Sequence, residues 1–256
     1  MSKNHIWRYI LIVLTIIVLT LGIGYYLKKR AEITTEEKSF QPYPNSKQLI
    51  DEDIYKEITG FNIAETERKM VTDKGGSPVY GEIKYDSLQT IFNDLNIKSS
   101  DVFYDLGSGV GKVIIQAYLN FPFKKVVGIE LSPTRHNNAL KAREELVKRN
   151  LINPNRKIEF IQGDIAELNL CDATVIYMCS TCYPVELMKK IAEKCSNLKK
   201  GMHVISLKSL PDYQDYGFIL EKEYSLPMTW SEGSPVYVYK LDPEEAKKIK
   251  REDTKK

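Results

Sequence analysis

The chain is 256 residues long, 43% hydrophobic, and carries a formal net charge of +3. That length holds one domain of about 200 residues with attachments and a substantial core. So small a charge excludes nucleic-acid binding driven by bulk electrostatics, leaving only local basic patches to carry such a role.

Ile6 to Leu27 is an apolar run whose only charge is Arg8. At 1.5 Å per residue it spans about 30 Å, the hydrocarbon thickness of a bilayer. Its apolar core is longer than that of a signal peptide, and no small-x-small cleavage site follows, so the run is expected to be an uncleaved transmembrane helix. Tyr25 and Tyr26 stand where interfacial aromatics sit, and Lys28, Lys29 and Arg30 are opposed by Lys3, Arg8 and the amino terminus. Charge alone therefore gives no orientation. Residues 28–48 are polar, lack an apolar period and read as a linker. A helix is expected over Asp51–Glu57. Asp73-Lys74-Gly75-Gly76-Ser77-Pro78 interrupts regular structure, and Ile83, Leu88, Ile91, Phe92 and Leu95 fall at helical spacing over Glu82–Leu95.

Asp101 to Glu130 reads as a strand, a glycine turn, a helix and a second strand ending in an acid. Gly107, Gly109 and Gly111 permit positive φ and let a ligand lie on the backbone. Glu130 closes the second strand 19 residues after Gly111, where a carboxylate reaches both hydroxyls of a ribose. The glycines run G-x-G-x-G behind Asp105, unlike the G-x-G-x-x-G of a dinucleotide site. An acid beside the turn repels a pyrophosphate and suits an ammonium. The pocket is accordingly expected to take S-adenosylmethionine, which carries an ammonium and a sulfonium.

Beyond Glu130 a helix is expected over Ser132–Arg149, with Ser132 as N-cap and Pro133 in the first turn, then strands at Ile158–Ile161 and Thr174–Met178. A helix opened by Pro184 over Val185–Glu193, a strand Met202–Leu207, and two β stretches, Phe218–Tyr224 and Val236–Leu241, complete the pattern. The fold class is α/β: a Rossmann-like, mostly parallel seven-stranded sheet ending in an antiparallel pair, as in class I methyltransferases.

Within that class, Val79-Tyr80-Gly81-Glu82, Asp105-Leu-Gly-Ser-Gly-Val-Gly111, Gly128-Ile129-Glu130, Gly163-Asp164, Val175 to Cys179, Asn197 to Gly201, and Trp230 followed by Pro235 to Tyr239 resemble, in order, the disruptor-of-telomeric-silencing (DOT) type of histone-lysine methyltransferase. The resemblance runs from about Pro78 to Asp242. It implies that Tyr80, Gly81 and Glu82 close over the methionine end of the cofactor, that Glu130 holds the ribose, and that Asp164 holds the adenine amino group. The chain departs from the family at the strip after the fourth strand, where Asn-Asn-Phe-Ala-Phe is replaced by Cys179-Ser180-Thr181-Cys182-Tyr183. Cys179, Ser180 and Tyr183 are then the expected neighbours of the nucleophile, with Tyr239 as a second wall.

Cys171, Cys179, Cys182 and Cys195 contain one chelating pair, and His5, His136 and His203 are scattered. No metal site is expected, and the cysteines are read as reduced and buried. The cations of the tail over 243–256 alternate with four acids and read as a solvated helix end, with nucleosomal DNA, which the resemblance implies for lysine-rich segments, and an anionic membrane surface as alternatives. The resulting plan is a transmembrane helix at 6–27, a linker at 28–48, a methyltransferase domain at 49–242 and a charged tail. The expected reaction is S-adenosylmethionine-dependent methyl transfer to a protein lysine, with the domain in the cytoplasm, where the cofactor is made. A small-molecule or lipid acceptor, and a cofactor-binding scaffold without turnover, stand as alternatives.

Overall fold

Val102–Leu106 (β1) is an almost wholly apolar run with an acid near its end, and all of its residues are buried, the signature of a central strand covered on both faces. The computed structural model describes residues 14–30 and 40–253. In it, β1 is joined in parallel by β2 (Lys125–Glu130), β3 (Lys157–Gln162), β4 (Val175–Met178) and β5 (His203–Ser206). β6 (Phe218–Met228) and β7 (Ser231–Leu241) form a long hairpin that pairs antiparallel with β5. The order β3-β2-β1-β4-β5-β7-β6 is the Rossmann-like, class I methyltransferase sheet expected from the sequence.

The chain divides into two units, residues 1–41 and 42–256. In the first, residues 14–30 form a helix (α1) with exposed apolar side chains such as Val18 and Leu21. No helix among the described residues is long and apolar enough to cross a membrane. Residues 6–13 of the expected span, and 31–39 of the expected linker, lie outside the described residues.

In the second unit, α2 (Ser46–Gln48) runs into a π-helical turn, Leu49–Ile54, followed by α3 (Glu65–Asp73), α4 (Tyr85–Leu95), α5 (Lys112–Asn120), α6 (Pro133–Lys148), α7 (Val185–Ser196) and α8 (Pro243–Asp253). One sheet face packs a core that includes α4 and α5, where Phe92, Phe103 and Phe123 are fully buried with ring centroids 5.1–5.4 Å apart. Each such ring contributes about 1.5–3 kcal/mol by burial. The other face packs Leu187, Met188, Ile191 and Cys195 of α7.

Several boundaries differ from the sequence expectation for identifiable reasons. The helix expected from Glu82 starts at Tyr85, because Glu82 and Ile83 are held by the β6–β7 hairpin: Thr229 N–H donates to Glu82 O at 2.9 Å, and Ile83 bridges Met228. The helix expected at Asp51–Glu57 lies earlier, where burial of Leu49, Ile50 and Ile54 fixes it. Part of the expected linker belongs to the second unit: Ser46 is buried and its Oγ bonds Asn120 Oδ1 and Tyr85 Oη, each at 2.6 Å. The tail residues Pro243–Asp253 form α8, whose Ala246 is buried. Cys195 is buried, but Cys171 and Cys182 are exposed and Cys179 is half-buried, which corrects the expectation of four buried thiols.

Ser132 caps α6, accepting from Arg135 N–H at 3.2 Å. Glu67 of α3 reinforces that end, accepting from Ser132 Oγ, from Thr134 N–H at 3.0 Å and from Thr134 Oγ1 at 2.7 Å. Replacing Glu67 with Ala strands these donors, so Glu67→Ala is expected to cost about 1.5–3 kcal/mol in urea denaturation. A loss below roughly 0.5 kcal/mol, the level of a plain surface change, would show that water replaces the carboxylate.

Candidate active site

The parallel strands end on one edge of the sheet, and there the turn after β1, the loop before α4 and the β4–α7 connection enclose a cleft of about 280 Å³. Ligands bind at this edge in open parallel sheets. The glycine turn is shaped by its neighbours. Gly107 and Gly109 have φ of +86° and +55°, and a Cβ would strike the Tyr183 hydroxyl at Gly107 and lie 2.5 Å from the Tyr80 ring at Gly109. Glu130 secures the turn: one carboxylate oxygen accepts from Gly109 N–H and the other from Ser132 N–H, both at 2.8 Å. Burial raises the Glu130 pKa, and the two N–H donors oppose that rise.

Asp105, at the end of β1, is 2% exposed. Burial, and then the nearby Glu130, hold its carboxyl well above the usual carboxylate range. Among the described residues, three buried side-chain oxygens have no hydrogen-bond partner: Asp105 Oδ1, Ser108 Oγ and Tyr177 Oη. All three residues line this cleft. Unpartnered buried oxygens are rare in native interiors, and their convergence marks a place built to receive hydrogen-bond donors. With Glu130 and Asp164 also lining the cleft, the floor suits a ligand that is cationic at one end and rich in donors.

Residues Tyr80–Glu82 cover one side. Tyr80 Oη donates to Glu82 Oε1 at 2.7 Å. Burial and the Glu82 charge keep the phenol protonated. Lys112, at the start of α5, joins Glu82 (3.4 Å) to Asp51 (2.9 Å). Arg135, 4% exposed, stacks over Tyr80 at 4.9 Å and donates to Gly60 O and Pro78 O at 2.9 and 2.7 Å. From the other side Glu82 N–H donates to Thr229 Oγ1 at 3.0 Å, and the Trp230 ring lies against Gly81. Cys179 Sγ donates to Gly81 O at 3.8 Å. Burial, then Asp105, push its thiol up to about 12, so Cys179 is neither a thiolate nucleophile nor a general base near neutral pH.

Of the residues expected from the sequence, Tyr80, Gly81, Glu82, Asp105, Gly107, Gly109, Glu130, Asp164, Cys179 and Tyr183 line one cleft. Asp164 Oδ1 accepts from Ala166 N–H at 2.8 Å, and Tyr183 Oη donates to Leu106 O at 2.7 Å. Gly111 sits below the cleft as the N-cap of α5 against Phe160. Two expected contacts are corrected. Ser180 is fully buried and faces β5, bonding Ser206 Oγ at 2.7 Å and accepting from Leu207 N–H at 3.1 Å. Tyr239 lies in the core of the opposite face, where its hydroxyl accepts from Leu210 N–H at 3.1 Å. No group of three or more His, Cys, Asp or Glu among the described residues is arranged to hold a metal ion. Sequence reading missed Tyr177, Ser108, Arg135, Lys112 and Glu67. Tyr177 had a usable signal, since it lies two residues before Cys179 and β residues two apart share a face.

Because its pKa is raised on folding, Asp105 binds a proton in the folded chain that the unfolded chain has released. Its contribution is therefore present at low pH and is lost as pH rises from about 4 through the raised value. Asp105→Asn removes this penalty, so the ligand-free variant should melt higher than wild type at pH 7.5, with the gain shrinking toward pH 4.5. An unchanged or lower melting temperature at pH 7.5 would mean that Asp105 is already ionised and paired.

The histone methylation protein DOT1 family matches residues 63–224. A histone-lysine N-methyltransferase of Caenorhabditis elegans, H3 lysine-79 specific, is 34% identical over 52% of this chain and 15% of its own length. A protein-lysine N-methyltransferase of Saccharolobus islandicus is 33% identical over 43% of this chain and 63% of its own. The chain spans between 7% and 24% of the length of three of the H3 lysine-79 specific relatives. An RNA methyltransferase of Salinibacter ruber, solved with S-adenosyl-L-homocysteine, is 25% identical with a TM-score of 0.48, covering 60% of this chain and 90% of that one. With the family match extending from α3 into β6 and containing the whole glycine turn, the chain belongs to the DOT1 family of histone methylation proteins.

Proposed function

We propose that the chain is an S-adenosylmethionine-dependent methyltransferase that acts on a protein lysine. The observation that carries the reading is the convergence of three unpartnered oxygens, Asp105 Oδ1, Ser108 Oγ and Tyr177 Oη, beside the glycine turn and Glu130. An ammonium answers the oxygens, ribose hydroxyls answer the free lone pairs of Glu130, and the Asp164 carboxylate is left to an amino group on adenine. The residues thus fit the cofactor from end to end. A pyrophosphate would face Asp105 and Glu130 at close range.

When bound, the cofactor supplies a methyl group on a sulfonium, a carbon already activated for in-line attack. The protein's work is then alignment and exclusion of water. Tyr80 and Tyr183 lie against Gly109 and Gly107 and flank the turn with aromatic surface. Cys179, its thiol held protonated near pH 7, adds no further negative charge beside an incoming amine. Family membership and relatives that are protein-lysine N-methyltransferases favour a lysine over a lipid or small molecule. The replaced strip favours a lysine in a context other than that of a histone.

Glu130→Ala should weaken binding of S-adenosylhomocysteine by about 2–4 kcal/mol in calorimetry. Tritium from labelled S-adenosylmethionine should appear in the protein fraction of a lysate and not in the organic-soluble fraction. Label confined to the organic phase would move the acceptor to a lipid, and wild-type affinity in Glu130→Ala would remove the ribose assignment.

We further propose that the N-terminal run Ile6–Leu27 anchors the chain as a single-pass membrane protein with the domain in the cytoplasm. The apolar sequence of the run and the exposed apolar side chains of α1 support this. The protein should resist carbonate extraction, and a phosphatase fused after Lys256 should be inactive. Release by carbonate would rule out the anchor, and strong phosphatase activity would put the domain outside.

A further inference from the structure

The unpartnered oxygens lie in one row across the sheet. Asp105 on β1 is paired directly with Tyr177 on β4 and with Gly128 on β2. Strands in a sheet are about 4.8 Å apart, so these three positions lie within about 10 Å. Gly128 has no side chain, and Ser108 Oγ fills the space above it, where an added Cβ would come within 2.7 Å of that oxygen. Tyr177 is 1% exposed, belongs to the same core face as Phe103 and Val175, and still lines the cleft. Only its ring is accounted for by packing. A phenylalanine would pack there equally well and would bury no hydroxyl, which costs free energy when left unpaired.

We propose that Tyr177 is a cofactor-contact residue whose hydroxyl, with Asp105 Oδ1 and Ser108 Oγ, forms an oxygen row that receives the ammonium end of the cofactor. An ammonium brings three N–H donors and no acceptor, and hydroxyls can turn lone pairs toward it, directly or through one ordered water. A carboxylate or phosphate in the same place would meet Asp105. An apolar group would leave all three oxygens unpaired. Burial, then the nearby Cys179 and Asp105, keep the phenol protonated, so the Asp105 carboxyl is the one group of the row that an arriving ammonium can ionise.

The assignment rests on the S-adenosylmethionine reading, and the test separates the two. Full-length wild type and Tyr177→Phe, in detergent, are titrated calorimetrically with S-adenosylhomocysteine and with 5′-methylthioadenosine, which lacks the amino-acid end. Tyr177→Phe should weaken S-adenosylhomocysteine roughly 10- to 100-fold, the usual worth of one hydrogen bond to a charged group, and leave 5′-methylthioadenosine unchanged. Without ligand the variant should melt at or slightly above the wild-type temperature, because an unpaired hydroxyl has been removed. Equal S-adenosylhomocysteine affinities, equal weakening of both ligands, or a melting temperature several degrees below wild type would each overturn the proposal, the last by revealing a structural partner. Failure of wild type to bind either ligand would instead overturn the cofactor reading, and the oxygen row with it.

Discussion

Glu130 is the tie on which the site depends. Its two carboxylate oxygens accept from Gly109 on the turn after β1 and from Ser132 at the start of α6. One side chain thus fixes the spacing between the two loops that line the cleft. The carboxylate is buried, and an ion in such a place needs hydrogen bonds to offset desolvation. Two backbone donors supply them, and the residue still lines the cleft. The same group can therefore be structural before a ligand arrives and a ligand contact afterwards.

A second layer of contacts holds the wall formed by Tyr80–Glu82, and it draws on distant parts of the chain. Arg135 reaches Gly60 and Pro78 from α6, Lys112 joins Glu82 to Asp51, and Thr229 bonds Glu82 from the hairpin. Burial disfavours the charge on Lys112, yet Glu82 and Asp51 together raise its pKa, so the link is ionic across the neutral range. Fixing a covering segment in advance spares the ordering cost that a free loop would incur when a ligand binds. The wall is thus set by packing and charge already present in the ligand-free chain.

The strand, glycine turn, helix and acid from β1 to β2 were readable because they are a pattern of consecutive residues: an apolar run, φ-permissive glycines, then a carboxylate at fixed spacing. The Ser132 cap was readable for the same reason. The start of α4 was not, since Glu82 and Ile83 are withdrawn from the helix by residues of the hairpin more than 140 positions away. The hairpin itself looked short because Pro227, Gly233 and Pro235, poor strand formers, lie within it. Helix α3 buries little besides Glu67 and Val71, so it offered no apolar period to detect. Arg135 and Glu67 act through partners on other elements, and nothing local to either residue announces that role.

The five-residue strip after β4 shows why a linear motif overstates the number of residues at a site. A single 3₁₀ turn, Ser180–Cys182, carries Ser180 inward to Ser206 and the backbone of β5 and leaves Cys182 exposed. Only Cys179 and Tyr183 remain on the cleft. A thiol is a weak hydrogen-bond partner compared with the amide found there in the family, and this one is already directed at Gly81 O. Tyr177, two residues earlier and in the same core face as Cys179, brings to the cleft a hydroxyl that no side chain occupies. That hydroxyl lies beside Asp105 across the β1–β4 pairing, so the polar lining of β4 is concentrated at the cofactor floor and not at the strip that follows the strand.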